Sequence, residues 1–124
     1  MAYDLLAQSG RTGVSPLLLA LVDDAVFLRL DSAEVSGLDA AIKTWQDLAN
    51  GAGITTVRHR IIGSLQERTM LIDTGNVQLT VRSPDGKAQY DTLLAFKGVW
   101  NVGKAGWRLG LEEMKPLPPP PVAK

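Results

Sequence analysis

The clearest hydrophobic pattern lies in the segment SGLDAAIKTWQDLANG, residues 36–51, where apolar residues recur every three or four positions. This spacing places them on one face of a helix: Leu38, Ala41, Ile42, Trp45, Leu48 and Ala49. Ser36 followed by Asp39 is a variant of the capping box, and Asn50-Gly51 is a typical helix end. The sequence therefore predicts an amphipathic helix that starts at Ser36 and covers one core.

After this helix the hydrophobic period changes to two, which is typical of strands. In ITTVRHRII, one face carries Val57, His59 and Ile61, and the other carries arginines. The segments RTMLID and NVQLTVRS follow, and Thr74-Gly75 between them predicts a bulge or bend. The turn SPDGK, a long strand over Ala88 to Val102, the turn NVGKAG and the strand WRLGLEEM complete the segment. The second half is therefore predicted to be an antiparallel meander of about four strands.

The segment LALVDDAVFLRL, residues 19–30, fits two structures. One is a hairpin that turns at Asp23-Asp24, and the other is a helix end followed by a first strand. A hairpin turn there would need positive φ without a glycine. Ser15 as N-cap and Pro16 at the first helical position favour a short helix that exits at the aspartate pair. The strand AVFLRL would then follow, with SAEVSG as a loop or short strand.

Two further predictions concern the ends of the chain. An N-terminal helix over Ala2 to Ser9 is predicted to be cut short by Gly10 and Gly13. At the other end, KPLPPPPVAK cannot form a helix or an inner strand and is expected to be an extended polyproline segment. Its role is open between a solvated tail and a ligand for a proline-recognising domain. The domain organisation expected is one domain over 1–115 and a tail over 116–124.

The composition excludes several function classes. Among 124 residues, 13 basic and 13 acidic side chains balance, so nothing favours nucleic acid or an anionic membrane as a partner. The chain has no cysteine and one histidine, which excludes thiolate chemistry and a histidine-rich metal site, and we expect no cofactor. The N-terminus resembles no signal peptide, and no apolar run is long enough to span a bilayer. We therefore expect a cytoplasmic protein.

Three motifs occur in a particular order: Asp23-Asp24-Ala25-Val26-Phe27 leaving a helix, Gly37 before the next helix, and Gly106-Trp107-Arg108 late in the chain. Over about residues 13–117, this order resembles the nuclear transport factor 2-like superfamily, especially its SnoaL-like members. The resemblance implies an α+β fold. In it a strongly curved, mixed or antiparallel sheet wraps around about three helices from the N-terminal half, forming a cone with an internal pocket. A short first helix implies a pocket that is more open or completed by another chain.

The resemblance also implies a function. The cone of its members often holds a small, largely apolar molecule. Some members isomerise, dehydrate, cyclise or hydrolyse such a molecule, and many others only bind or assemble. Strand parity nominates residues that line such a pocket, namely His59, Tyr90, Phe96, Trp100 and Trp107, and the predicted helix adds Trp45. The catalytic candidates are His59 as acid or base, Tyr90 as a hydrogen-bond donor, and Asp91 if a bulge turns it inward.

Two further positions bear on the family's chemistry. Ketosteroid isomerases, which this fold resembles, carry a catalytic aspartate in the first strand, where this chain has Arg29. Because a guanidinium does not deprotonate, Arg29 is instead a candidate for holding an anionic ligand. Trp107, Leu109 and Leu111 are predicted to share one face of the last strand, with Glu112 and Glu113 near the rim.

The back of the sheet is a candidate interface. Leu93, Ala95 and Val99 make the outer face of the long strand apolar, although its other face already supplies the core. We therefore expect a homodimer through the back of the sheet. Two functions stay open: a dimeric protein that binds a small apolar molecule, with or without acid–base chemistry, and a non-catalytic interaction module whose cone is filled by its own side chains.

Overall fold

The computed structural model describes residues 2–12, 16–31, 33–104 and 106–116. Within these ranges the chain forms three helices and six strands. In chain order they are α1 (Ala2–Thr12), α2 (Pro16–Leu21), β1 (Val22–Leu30), β2 (Ala33–Ser36), α3 (Leu38–Gly51), β3 (Ile54–Glu67), β4 (Met70–Arg82), β5 (Gln89–Gly103) and β6 (Gly106–Pro116). The tail beyond Pro116, predicted to be extended, lies outside the described residues.

The six strands form one sheet in the order β2-β1-β6-β5-β4-β3. The meander β3 to β6 is antiparallel, as predicted, whereas β1 joins it in parallel beside β6. Helices α1 and α3 pack together inside the curve of the sheet. The predicted α+β cone, a curved mixed sheet around three helices, is confirmed.

Helix α3 forms where its apolar stripe predicts, and Leu38, Ala41, Ile42 and Trp45 are buried. The predicted cap is wrong, because Ser36 ends β2, paired with Phe27, and makes no cap hydrogen bond. Gly37 is the N-cap, with φ of 99°, and its N–H donates to the Val26 carbonyl. Glycine adopts this φ without the steric cost that a side chain would bring.

The other two helices each differ from the pattern at one point. Helix α1 continues through Gly10 to Thr12, since a glycine costs a helix only about 1 kcal/mol, which packing offsets. Helix α2 confirms the helix alternative for residues 16–21, although Ser15 lies outside the described residues. The aspartate pair is not an exit corner, because β1 already begins at Val22. Asp23 instead accepts the Ala25 N–H where the β1–β6 register shifts.

Two bulges decide which side chains face inward. Strand β4 is continuous, and the irregularity predicted at Thr74-Gly75 falls in the facing strand, between Ile61 and Gly63. In β6, Gly110 is left unpaired, since Val99 pairs with Leu111 and Trp100 pairs with Leu109. This extra residue reverses the parity beyond it. The predicted common face of Trp107, Leu109 and Leu111 is therefore wrong, because Leu111 turns outward.

Candidate functional site

Tyr3, near the start of α1, fills the centre of the cone and is 1% exposed. Its ring stacks on His59 at 5.2 Å between centroids and meets the edges of Phe96 and Trp100 at 5.0 and 5.9 Å. Helix α1 can bring the ring so close because Gly98 lies beneath it, where a Cβ would overlap the phenol. The space that the resemblance assigns to an internal pocket is thus occupied here by the chain's own aromatic rings.

The Tyr3 hydroxyl belongs to a buried hydrogen-bond network. It donates to Asp73 Oδ2 at 2.8 Å and accepts from Trp100 Nε1 at 2.7 Å. Ser64 donates to the second oxygen of Asp73 at 2.6 Å. Burial, and then the hydrogen bond to Asp73, raise the pKa of Tyr3 above its usual value, so the phenol stays neutral.

His59 lies beside Tyr3 and bridges two carboxylates. Its Nδ1 is 2.7 Å from Asp4 Oδ1 and its Nε2 is 2.6 Å from Glu112 Oε1, while its backbone N–H also donates to Asp4. Burial lowers the pKa of His59, but the hydrogen bonds and charges of Asp4 and Glu112 outweigh it and raise that pKa to about 9. Burial raises the pKa of Asp4, and the contacts with His59 lower it to below its usual value. The protonated imidazole therefore ties α1 to β3 and β6 at neutral pH.

This geometry leaves His59 little capacity for acid–base chemistry on a bound molecule. Its side chain is 2% exposed, and both ring nitrogens are engaged. A general base needs a free nitrogen within hydrogen-bond reach of the reacting proton. Glu112, predicted at the rim, is instead fully buried, and its Oε2 has no partner among the described residues.

The structure brings together only some of the predicted site residues. His59, Phe96 and Trp100 meet around Tyr3. Tyr90 is 59% exposed near the start of β5, paired with Val81, so its placement as a pocket residue is wrong. The first three residues of β5 are all exposed, so facing inward does not bury Tyr90 there.

The residues that surround Tyr3, namely His59, Phe96 and Trp100, form with it the interior cluster. Three other predicted residues also lie away from this cluster: Asp91, Arg29 and Trp107. Asp91 stays on the back of the sheet, where it accepts from Gln78 and Thr80. Arg29 lies on the back too and bridges Glu34 and Glu113 at 3.3 and 3.4 Å, so its cation is already paired. Trp107 is half-buried opposite Val102, and Arg108 beside it donates to the carbonyls of Leu19 and Val22.

Open space remains at the mouth of the cone, where β6 ends. A recess of about 210 Å³, here called the mouth recess, lies between the end of α3 and the sheet. Its lining is almost entirely apolar: Leu30, Asp31, Trp45, Leu48, Ile54, Leu79, Leu94, Met114, Lys115 and Pro116. Trp45, predicted as a pocket residue, forms part of its wall.

A second recess, the edge recess, of about 330 Å³, lies between α1, α3 and β3. Trp45 and Ile54 line both recesses and so form the partition between them. The indole N–H of Trp45 is buried and has no hydrogen-bond partner among the described residues. An unpaired buried donor costs about 1–3 kcal/mol.

Sequence reasoning missed Tyr3, Asp4, Asp73 and Glu112. Tyr3 and Asp4 lie on a helix too short to reveal its buried face, and the Gly110 bulge hides the inward turn of Glu112. The usable signal was Gly98, a glycine inside a long strand, which indicates a close approach by another group.

No protein-family model matches the chain, and no curated protein matches it. Solved structures do. A ketosteroid isomerase-like protein from Erwinia carotovora atroseptica is 12% identical, with a TM-score of 0.72 over 95% of this chain and 92% of that one. A nuclear transport factor 2-like superfamily protein from Salmonella enterica is also 12% identical, with a TM-score of 0.70 over 94% of this chain and 85% of that one.

A third similar structure is a putative calcium/calmodulin-dependent protein kinase type II association domain from Thiobacillus denitrificans. It is 19% identical, with a TM-score of 0.67 over 94% of this chain and 93% of that one. In the described part of this chain, no helix is long and apolar enough to cross a membrane. The architecture and these similarities together identify the fold: this chain has the nuclear transport factor 2-like cone fold.

Proposed function

We propose that this chain binds a small, largely apolar molecule in the mouth recess. The observation that carries the proposal is the lining, in which leucine, isoleucine and methionine side chains surround about 210 Å³ of space. Apolar walls with very few polar groups are typical of small-molecule sites. Burial of apolar ligand surface in this recess contributes roughly 25 cal/mol per Å².

The interior cluster supports binding rather than acid–base catalysis, because His59 is held between Asp4 and Glu112 and lines neither recess. The SnoaL-like type and its chemistry remain predictions from the sequence resemblance.

A pair of matched ligands tests this proposal. Acetophenone and ethylbenzene have similar shapes, but only the ketone can accept a hydrogen bond. We expect both to shift the NMR signals of the Leu48 and Leu94 methyls, and we expect the two to bind with similar affinity, because the accessible lining of the recess is almost entirely apolar. Shifts confined to the back of the sheet would contradict the proposal.

We also propose that two copies pair through the back of the sheet. Five neighbouring strands each place an apolar residue at the same register on this face, forming a row: Leu65, Ile72, Val99, Leu111 and Phe27. Leu65 and Phe27 are 58% and 42% exposed. The next register carries Lys97, Glu113 and Arg29, with charges of both signs. A twofold axis can match such a row and its charges with themselves.

Substitutions on this face test the dimer. Val99→Arg places a charge in the middle of the row and should yield a monomer in sedimentation experiments at micromolar concentration. Gln89→Arg, on the same face at the exposed start of β5, is the matched control and should leave the dimer intact. A monomeric unmodified chain under the same conditions would contradict the proposal.

A further inference from the structure

We infer that the edge recess, between α1, α3 and β3, binds a small primary amine, with the apolar part of the molecule in the recess and its ammonium group at Asp4. This site is separate from the mouth recess of the proposed function. The inference rests on the shape of the edge recess, on the position of Asp4 beyond one end of it, and on an excess of negative charge there.

The edge recess is large enough for a molecule with one ring. Its volume is about 330 Å³, and small-molecule pockets typically measure about 300–1,000 Å³. Ala7 on α1 and Ala49 on α3 supply two of its walls, and Ile54 and Val57 line it from β3. The hydroxyl and amide side chains that line it are neutral: Gln8, Thr55 and Thr56. The recess therefore suits an apolar body, and the described residues that line it offer no partner for a charge.

Two elements place Asp4 just beyond one end of the recess. Asp4 precedes Ala7 by three positions, so the two side chains share one face of α1, about one turn or 5.4 Å apart. Asp4 also accepts the backbone N–H of His59, which lies two residues, roughly 7 Å, beyond Val57 along β3. The side chain of Asp4 is 33% exposed, whereas those of His59 and Glu112 are 2% and 0% exposed. Of these three groups, Asp4 is therefore the one that a ligand can reach.

The charges around Asp4 favour a cation. The protonated imidazole of His59 contributes one positive charge against the two carboxylates that it bridges, Asp4 and Glu112, so one negative charge remains unbalanced. Among the described residues, no lysine or arginine forms an ion pair with either carboxylate. Burial raises the pKa of Asp4, and the contacts with His59 lower it to below its usual value, so Asp4 is ionised at neutral pH. An ammonium group beside Asp4 balances the excess charge, and it stays partly hydrated because Asp4 is partly exposed.

The distance between the two parts of the site sets the kind of amine. A phenyl ring fits the recess, and a two-carbon linker spans roughly the one helical turn, about 5.4 Å, that separates Ala7 from Asp4. Hydrogen bonds between an ammonium group and a carboxylate are stronger than neutral ones. The probe is therefore 2-phenylethylamine, and 2-phenylethanol, which has nearly the same shape without the charge, is its matched control.

NMR titration of the unmodified chain tests the position of the site and its preference for charge. We expect 2-phenylethylamine to shift the methyl signals of Ala7, Ala49 and Val57. At low salt it should bind roughly fivefold more tightly than 2-phenylethanol, as a partly exposed charge pair predicts, and added salt should narrow this difference. Equal affinity for the two probes at low salt would overturn the inference, as would shifts confined to Leu48 and Leu94 in the mouth recess.

Substitutions test the two halves of the site separately. Ala49→Leu fills the recess and should abolish the binding of both probes. Gln46→Leu adds the same side chain on the exposed face of α3 and should leave both affinities unchanged. Asp4→Asn should lower the affinity for the amine to that for the alcohol, whose binding should persist. Undiminished binding to a folded Ala49→Leu protein, or a preference for the amine that survives in Asp4→Asn, would overturn the inference.

Two further results keep the test decisive. If Asp4→Asn disturbs the packing of α1 and alcohol binding is lost, the salt dependence of the unmodified chain decides, and a preference for the amine that salt does not change would overturn the inference. Leu94→Trp fills the mouth recess and should leave amine binding unchanged. Loss of amine binding in Leu94→Trp but not in Ala49→Leu would place the amine in the mouth recess and would also overturn it.

Discussion

Glu112 Oε1 lies 2.6 Å from His59 Nε2 inside the cone, and Glu112 has no exposed surface. With Asp4 on the other ring nitrogen, the imidazole is held between two carboxylates from different elements, α1 and β6. A buried charge is tolerated only when it is paired and hydrogen-bonded. This buried ion-pair cluster of Asp4, His59 and Glu112 therefore holds α1, and with it Tyr3, inside the cone.

The buried ion-pair cluster predicts how stability depends on pH. The pKa of His59 is about 9 in the folded chain against 6.5 for a free side chain, so folding stabilises the protonated imidazole. The contribution of this imidazole to the free energy of unfolding is on the order of 3 kcal/mol. It is complete below pH 6.5 and is lost as pH rises through 9. Urea unfolding between pH 6 and pH 9.5 should show this decline, and His59→Gln should remove it. A flat profile for the unmodified chain would contradict the assignment.

At acidic pH, stability is expected to change with pH in the opposite direction. Contacts with His59 lower the pKa of Asp4, so the contribution of Asp4 is present above its ordinary pKa of 3.8 and is lost as pH falls through the folded value. Asp4→Asn should therefore reduce stability at pH 6 and flatten the acid limb of the same unfolding curves. An acid limb that is identical in both proteins would exclude Asp4 as its source.

Neighbouring glutamates on β6 provide a matched comparison. Glu112→Gln removes the buried charge opposite His59 and should lower the free energy of unfolding by about 1.5–3 kcal/mol, the range for charged hydrogen bonds. It should also lower the pKa of His59, measured by NMR titration. Glu113→Gln removes only contacts with Arg29 and Lys115 near the surface and should cost less than about 1 kcal/mol. Equal losses from the two substitutions would contradict the buried position of Glu112.

Two glycines on β5 test the close approach of Tyr3. Gly98→Ala puts a methyl group where the phenol lies and should cost about 1–3 kcal/mol through overpacking. Gly103→Ala meets nothing within 4 Å and should change stability by less than about 0.5 kcal/mol. Tyr3→Phe combined with Gly98→Ala should cost less than the sum of the two single changes, since the hydroxyl is nearest to the new methyl. Additive losses in that double-mutant cycle would show that the Tyr3 hydroxyl does not lie on Gly98.

Much of the architecture could be predicted from the sequence because long periodic segments determine it. The stripe from Leu38 to Trp45 and the alternation in β3 and β5 each indicate one buried face, and both faces meet in one core. The interior site could not be predicted in the same way. Its parity depends on the bulge at Gly110, and its centre is Tyr3, from a helix that follows no long pattern. The prediction for Tyr90 was wrong for a third reason, since it lies at the exposed start of β5, where facing inward does not bury a residue.

The measurement that tests the central claim most directly is calorimetric titration of acetophenone into variants of β5. Leu94→Trp fills the mouth recess, whereas Gln89→Trp adds the same side chain at the exposed start of the same strand. We predict that binding is lost in Leu94→Trp and unchanged in Gln89→Trp. Undiminished binding to a folded Leu94→Trp protein would contradict the claim that the mouth recess is the ligand site.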